Sequence, residues 1–464
     1  MHSIKQRYIG DRTFYKRLLS VMIPVLIQNV ITNFVSLLDN IMVGQVGTES
    51  MSGVAIVNQL LFIFNLCIFG GLSGAGIFTA QFFGRADEEG VRHTLRLKYY
   101  IALIAVVVFG VGLLLFGEPL ISLFLHEGEA GLDLSATLEF GKQYLWVMLA
   151  QMLPFAVMQV YGSTLRECGE TMLPMKAGIA AIFVNLGLNY VLIFGKLGFP
   201  ALGVVGAAIA TVIARFVECG IVVIWAHCHT KEHPYIRGLY RSLRVPKKLL
   251  GRVALKGTPL LLNEVLWSAG MTTLNQCYSV RGLEVVSAIN ISSTVSNLFF
   301  CAFFATGTTI SILIGQRLGA GELELAVEED RKLLAFAVAL SAAVGLLMAA
   351  FAPLIPDFYN TTDQVKSLAT SFLFVTAALM PLNAFTNGSY FTLRSGGKTM
   401  ITFLFDSAFV WVVCVPVAMI LVHLTGLPIL PIFVIVQSLE WIKVVIGAIF
   451  LKRRAWVNNL VETI

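Results

Sequence analysis

The side chains able to do chemistry in this chain are ionisable groups set in apolar sequence. Asp39, Glu264 and Asp406 each lie inside a hydrophobic run, while Arg215 with Glu218 and Glu440 with Lys443 stand three residues apart in two others. A carboxylate stripped of hydration favours its neutral form, so such a group either trades a proton or holds a cation. Opposite charges at i, i+3 on a helix neutralise each other. Both pairs therefore read as structural ion pairs that can also tune a nearby proton site. Amides and hydroxyls accompany the carboxylates. Asn29, Thr32, Asn33, Ser36, Asp39 and Asn40 succeed one another at helical spacing, as do Glu264, Ser268, Thr272 and Asn275. That spacing stacks each set along one helix face. Asn185 and Asn189, and Asn383 and Asn387, are four apart, and Asn290 precedes Asn297 by seven. A polar stripe facing lipid is untenable, so these faces line a cleft or bond across a helix interface. Asn33, Asn58, Asn290, Asn383 and Asn387 are the candidates for a substrate cavity.

The elements that must carry these groups are membrane spans. Hydrophobic residues make up 57% of the 464 and charged ones only 13%, against about 25% charged in soluble domains. The apolar runs exceed the roughly 20 residues that cross a hydrocarbon core. Hydropathy and turn residues predict twelve helices, near 18–43, 53–80, 97–117, 139–163, 173–195 and 204–229, then 255–280, 286–314, 333–353, 367–393, 400–423 and 430–451. The first run is too long, and too rich in Asn and Asp, for a cleaved signal peptide. Of the 33 Lys and Arg, 27 fall in alternate segments that include both termini. Cationic loops resist translocation, so that side is cytoplasmic and both termini lie there. The net charge of +6 is thus orientation chemistry and implies no nucleic-acid partner. The loop at 230–256 holds eight of these cations; it reads as a topogenic linker that can touch anionic lipid headgroups. Seven cysteines without a CxxC pair read as buried free thiols. His227, Cys228 and His229 end helix 6, where neighbours point to different faces, so no metal site is expected.

The chain repeats itself. An offset of 235 aligns Pro24 with Pro259, Gly47 with Gly282, Gln81 with Gln316 and Gly84 with Gly319. An offset of 228 aligns Leu165-Arg166 with Leu393-Arg394 and Gly169 with Gly397, and one of 222 aligns Glu218 with Glu440. Six helices per repeat start both halves on the same side, so the repeats are parallel. The expected fold is an all-α polytopic membrane protein with twelve transmembrane helices in two pseudo-symmetric six-helix lobes. Its segments are a cytoplasmic stretch at 1–17, an N-lobe at 18–229, a linker at 230–254, a C-lobe at 255–451 and a cytoplasmic tail at 452–464. Two such lobes rocking about a shared cleft give alternating access.

The helix-1 segment from Pro24 through Asp39-Asn40-Ile41-Met42-Val43-Gly44 and the loop Gln81-Phe82-Phe83-Gly84-Arg85-Ala86-Asp87 carry a family resemblance. So do Asn185 through Gly195, Gly206-Ala207-Ala208-Ile209-Ala210-Thr211 and Leu393 through Thr399. In this order, with the six-plus-six repeat, the chain resembles the multidrug and toxic compound extrusion (MATE) family over essentially its whole length. The resemblance implies an antiporter that exports organic cations and amphipathic compounds in exchange for Na⁺ or H⁺, with no other cofactor. It implies an N-lobe cation site at Asp39, Asn185, position 189 and Thr211, and a C-lobe glutamate similar to Glu264. Many members carry aspartate where this chain has Asn189, and the helix-10 aspartate of one branch falls on Asn383. The C-lobe then relies on Glu264 and Asp406.

The expectation is a multi-pass monomer of the cytoplasmic membrane whose partners are small organic molecules and lipids. A flippase of lipid-linked sugars, the nearest rival, calls for a cationic cleft for pyrophosphate, whereas these clefts are rich in amides and carboxylates. An intramembrane enzyme needs clustered acids or histidines, and here the acids are scattered over helices 1, 6, 7, 11 and 12.

Overall fold

A computed structural model describes residues 7–125, 133–359, 361–462 and 464, with the side chains of residues 35–37 and 40 left out. Ser36 and Asn40 of the first polar stripe therefore lie outside the described residues. Twelve long helices run through the described chain: α1 (Arg12–Gly44), α2 (Thr48–Gly84), α3 (Glu88–Ser122), α4 (Leu134–Glu167), α5 (Met172–Phe194) and α6 (Gly203–Cys228), followed by α7 (Lys247–Ser279), α8 (Leu283–Gly319), α9 (Leu323–Phe351), α10 (Asp363–Ser395), α11 (Thr399–Leu424) and α12 (Ile429–Lys452). Among the described residues, eleven of them are long and apolar enough to span a bilayer. The exception is α7, whose first turns carry Lys247, Lys248, Arg252 and Lys256 and whose middle carries Glu264. Its polarity, not its length, sets it apart.

The duplication is written into the helix ends. α1 and α7 are both 33 residues long, α2 and α8 both 37, and all four boundaries differ by the repeat offset. The motif glycines mark how the helices stop. After α4 and α10, Gly169 and Gly397 take positive φ. Backbone bonds Glu170 N–H to Leu165 O and Lys398 N–H to Leu393 O then close the last turn, the left-handed C-cap that glycine permits. After α2 the same turn is made by Ala86 at φ 61°, while its repeat mate Gly321 has φ 78°.

The chain divides into two compact units. One comprises Ile27–Thr79 and Glu88–Gly251; in it the segment after α6 is no loose tether. Its carbonyls are gripped by α3: Arg92 donates to Pro234 O and Tyr235 O, and Arg96 to Gly238 O and Leu239 O, at 2.9–3.2 Å. Tyr161, at the end of α4, bonds both His227 Nε2 (2.8 Å) and Tyr240 Oη (2.7 Å), which accounts for that histidine as a packing group. Lys98, counted with the loop cations from sequence, is instead fully buried inside α3. Of the cysteines, four are buried, Cys67 and Cys219 are half-buried, and Cys228 is exposed, which corrects the expectation of burial throughout. The outward face of α3 exposes Leu103, Ile104, Val107, Val108, Leu114 and Leu115. An apolar stripe of that length suits acyl chains and would be unsustainable in water.

The other unit comprises the chain through Leu26, Ala80–Asp87 and Arg252 onward. Leu18, Val21, Met22 and Val25 of α1 pack with Ile310, Leu313, Leu318 and Leu334 of α8 and α9 and with Trp456 of the tail. Gln81 donates to Ser395 O (2.9 Å) and accepts from Leu460 N–H (2.7 Å), and Arg85 donates to Val461 O (2.7 Å). α2 and α8 meet here at their repeat-related glycines. A Cβ on Gly84 would overlap the Gln316 backbone, and one on Gly319 the Gln81 backbone. Backbone cannot swing aside as a side chain does. Gly319→Ala is therefore expected to cost about 1–3 kcal/mol, read as a lower melting temperature of the detergent-purified protein than that of Gly251→Ala, a helical position of α7 where nothing lies within contact range.

Candidate functional site

The first unit assembles the N-lobe candidates into one hydrogen-bonded run. Asn189 Nδ2 donates to Asp39 Oδ1 at 2.6 Å and lies 3.2 Å from Asn185 Oδ1. Asn185 Nδ2 in turn donates to Thr211 Oγ1 at 3.2 Å. Three helices supply these groups, and the sequence explains their closeness. Ala207, Ala208 and Ala210 of α6 are buried, and Gly206 abuts the Leu192 carbonyl. A stripe of small residues lets two helix backbones approach, which brings Thr211 to α5. The i, i+4 spacing then carries the chain of bonds from Asn185 up to Asn189 and across to α1. Asn189 and Asn185 are almost wholly buried and Asp39 half-buried, and Asn189 Oδ1 has no hydrogen-bond partner. The run offers one carboxylate and neutral amide and hydroxyl oxygens, a donor set for one small cation or one proton.

Other N-lobe candidates take separate places. Arg215 Nη1 pairs with Glu218 Oε2 at 2.8 Å, and its guanidinium also lies over the Phe155 ring. Asn58 accepts a bond from Tyr144 Oη at 3.4 Å. Asn33 is exposed, and its amide bonds the Asn29 carbonyl one turn back at 2.9 Å. Each of these bonds goes to a group outside the Asp39 run.

The second unit gathers a different cluster. Asp406 accepts from Asn263 Nδ2 at 3.0 Å through one oxygen and faces Lys443 Nζ at 3.6 Å through the other. Lys443 also pairs with Glu440 at 3.0 Å. Glu440 and Lys443 thus form no closed pair, because the ammonium is shared with Asp406. Asn263 Oδ1 and backbone O accept from Ser407 Oγ, both at 2.7 Å. Asp406 stands in an irregular stretch of α11. Residues Leu404–Ala408 and Val410–Cys414 form two π-helical turns. A π turn inserts a residue and rotates the rest of the helix beyond it, and it is frequent at functional sites. Glu264, half-buried on α7, lies within electrostatic reach of Arg394 and Asp406. The hydrogen bond from α7 to Asp406 nevertheless comes from Asn263, the residue before it.

Asn383 and Asn387 lie half-buried on α10, with Asn387 Oδ1 close to Gly307 of α8. Asn290 is exposed and lines a cleft of about 250 Å³ with Thr272, Asn275, Gln276 and Ser279. Sequence reading passes over Asn263, Ser407, Arg394 and Tyr390, whose hydroxyl accepts from Asn263 Nδ2 at 3.4 Å. A buried asparagine one place off an apolar stripe is the available signal for Asn263, and the repeated Leu-Arg pair for Arg394. Among the described residues no group of three or more His, Cys, Asp or Glu is placed to hold a metal ion.

Twelve long helices in two repeated halves, with a half-buried carboxylate beside buried amides in each compact unit, define a polytopic membrane transporter. The MatE family model matches twice, over residues 24–191 and 259–422, starting at the two repeat-related prolines. The chain belongs to the MatE family. A probable multidrug resistance protein NorM of Thermotoga maritima is 27% identical over 411 residues, covering 88% of this chain and 85% of the relative. A probable NorM of Halalkalibacterium halodurans is 24% identical over 421 residues, 89% of this chain and 88% of the relative. The crystal structure of a MATE protein in the bent conformation superposes with a TM-score of 0.84 at 21% identity, covering 97% of each chain. That likeness establishes the fold.

Proposed function

We propose that this protein is a secondary antiporter that exports cationic or amphipathic organic compounds by alternating access of its two lobes, driven by inward movement of Na⁺ or H⁺. Both relatives described above are named as probable multidrug resistance proteins, and family members are transporters rather than enzymes. The observation that carries the reading is the Asp39–Asn189–Asn185–Thr211 run, a half-buried carboxylate held by buried amides and built from three helices. An intramembrane carboxylate is costly and is retained where it moves an ion. Ion occupancy that binds one lobe conformation better shifts the population toward it, and substrate release results. The protein acts as a monomer in the cytoplasmic membrane, both termini inside, with membrane lipids around it.

Proteoliposomes loaded with ethidium test this reading. Efflux is expected to accelerate when either a pH gradient or a sodium gradient is imposed, and to collapse with an ionophore that dissipates the effective one. Dye movement indifferent to both gradients, together with gradient-independent movement of a lipid-linked oligosaccharide, would replace the antiporter with a flippase.

A further inference from the structure

The cluster around Asp406 has the composition of a cation site and already contains a cation. Asp406 Oδ1 and Glu440 Oε1 converge on Lys443 Nζ at 3.6 and 3.0 Å. The lysine side chain is 9% exposed. Its ammonium also lies 5.7 Å from the centre of the Phe405 ring and 5.8 Å from that of Phe409. Aromatic faces attract an ammonium but offer no lone pairs to a hard metal cation, which needs a shell of oxygens. The remaining oxygens are mostly committed. Asp406 Oδ2 accepts from Asn263, whose own Oδ1 accepts from Ser407. Glu440 Oε2 is buried with no hydrogen-bond partner, one free ligand where a sodium ion requires several.

The repeat makes this arrangement particular to the second half. Glu440 corresponds to Glu218, which pairs with Arg215 at 2.8 Å. The place of Asp406 in the first repeat is taken by Gly178, where an added Cβ would stand 3.6 Å from Gln28 Nε2 and Glu218 Oε1. The second half carries a carboxylate where the first has glycine, and its ammonium is shared between two acids.

We infer that Lys443 is the resident cation of a sodium-type site formed by Asp406 and Glu440, and that its ammonium closes this lobe to sodium. The inference rests on the antiport reading and narrows it, since sodium then has no place at this cluster. Removing the ammonium frees Asp406 Oδ1 and Glu440 Oε1 beside the already unpartnered Glu440 Oε2, enough carboxylate oxygen to take a metal ion with water.

The test is equilibrium binding of radioactive sodium to purified full-length protein, in an Asp39→Asn background that silences the other carboxylate site. With Lys443 present, binding is expected to stay at the level of Asp39→Asn, Asp406→Asn. Adding Lys443→Met is expected to create saturable, stoichiometric sodium binding that Asp406→Asn removes again, whereas Lys443→Arg creates none. Saturable binding in the Asp39→Asn protein that vanishes with Asp406→Asn would overturn the inference. So would a monodisperse Lys443→Met protein that gains nothing. If the Met variant aggregates, the comparison with Lys443 intact decides alone. Ethidium efflux by the wild type is scored separately, so a failed antiport reading is distinguishable from a failed sodium result.

Discussion

Asp39→Asn is expected to slow gradient-driven efflux by roughly 5–150-fold, the range spanned by typical coupling free energies between two ligand sites, while leaving membrane insertion intact. The substitution is isosteric. Its new Oδ1 can still accept from Asn189 Nδ2, which now lies 2.6 Å from the carboxylate, so the contact between α1 and α5 persists as a neutral bond. The charge alone disappears. A neutral amide binds no proton at accessible pH and holds a cation far more weakly than a carboxylate, so ion binding loses most of its differential affinity for one lobe conformation, and a ligand without such a difference shifts nothing. The measurement is ethidium efflux from proteoliposomes under imposed pH and sodium gradients, normalised to inserted protein. Wild-type rates under both gradients would remove Asp39 from the coupling mechanism. Asn185→Ala should give a milder defect, since it breaks the bond to Thr211 without touching charge.

The largest stability effect is expected away from that run, at Lys98. Its side chain is fully buried in α3, and its ammonium has three partners: Ser163 Oγ and Thr164 Oγ1 at 3.1 Å, and Glu167 Oε2 at 2.5 Å. Three partners satisfy the three donors of an ammonium, so the group is completely accounted for inside the fold. Lys98→Met removes the cation and leaves the Glu167 carboxylate without it. Breaking a buried pair from one side costs about 3–5 kcal/mol, whereas replacing both partners with apolar groups is often neutral. The melting temperature of Lys98→Met should therefore fall sharply, and Lys98→Met, Glu167→Met should recover much of the loss. A Lys98→Met protein as stable as the parent would show that the ammonium contributes nothing there.

Lys98 also illustrates where reading along the chain stops. From sequence it belongs with the basic residues that orient the protein, because its distance from Arg92 and Arg96 is small and the hydropathy rises only after it. Nothing local says that Glu167, far along the chain, comes back to meet it. Asn263 escapes notice for a related reason. The stripe on α7 is anchored by Glu264, the more conspicuous group, yet the carboxylate of Asp406 meets its neighbour. Asp406 stands within a π turn of α11, an irregularity that no periodicity count over an apolar segment can register. The twelve helices, in contrast, are legible, and even their repeat offset survives in the ends of α1, α2, α7 and α8.

The amino-acid order by itself determined the solvent and the periodicity. A chain this apolar must span a bilayer, where every backbone group is satisfied within a helix, so length, apolarity and turn residues mark the spans with little help from packing. The Asp39–Asn189 bond, the sharing of Lys443 between Asp406 and Glu440, and the burial of Lys98 were decided only by tertiary structure. Each depends on which helices touch and at what rotation. Small residues, π turns and backbone crossings set those contacts together, between positions far apart in the chain, whereas the local pattern reports only which face of a helix is polar.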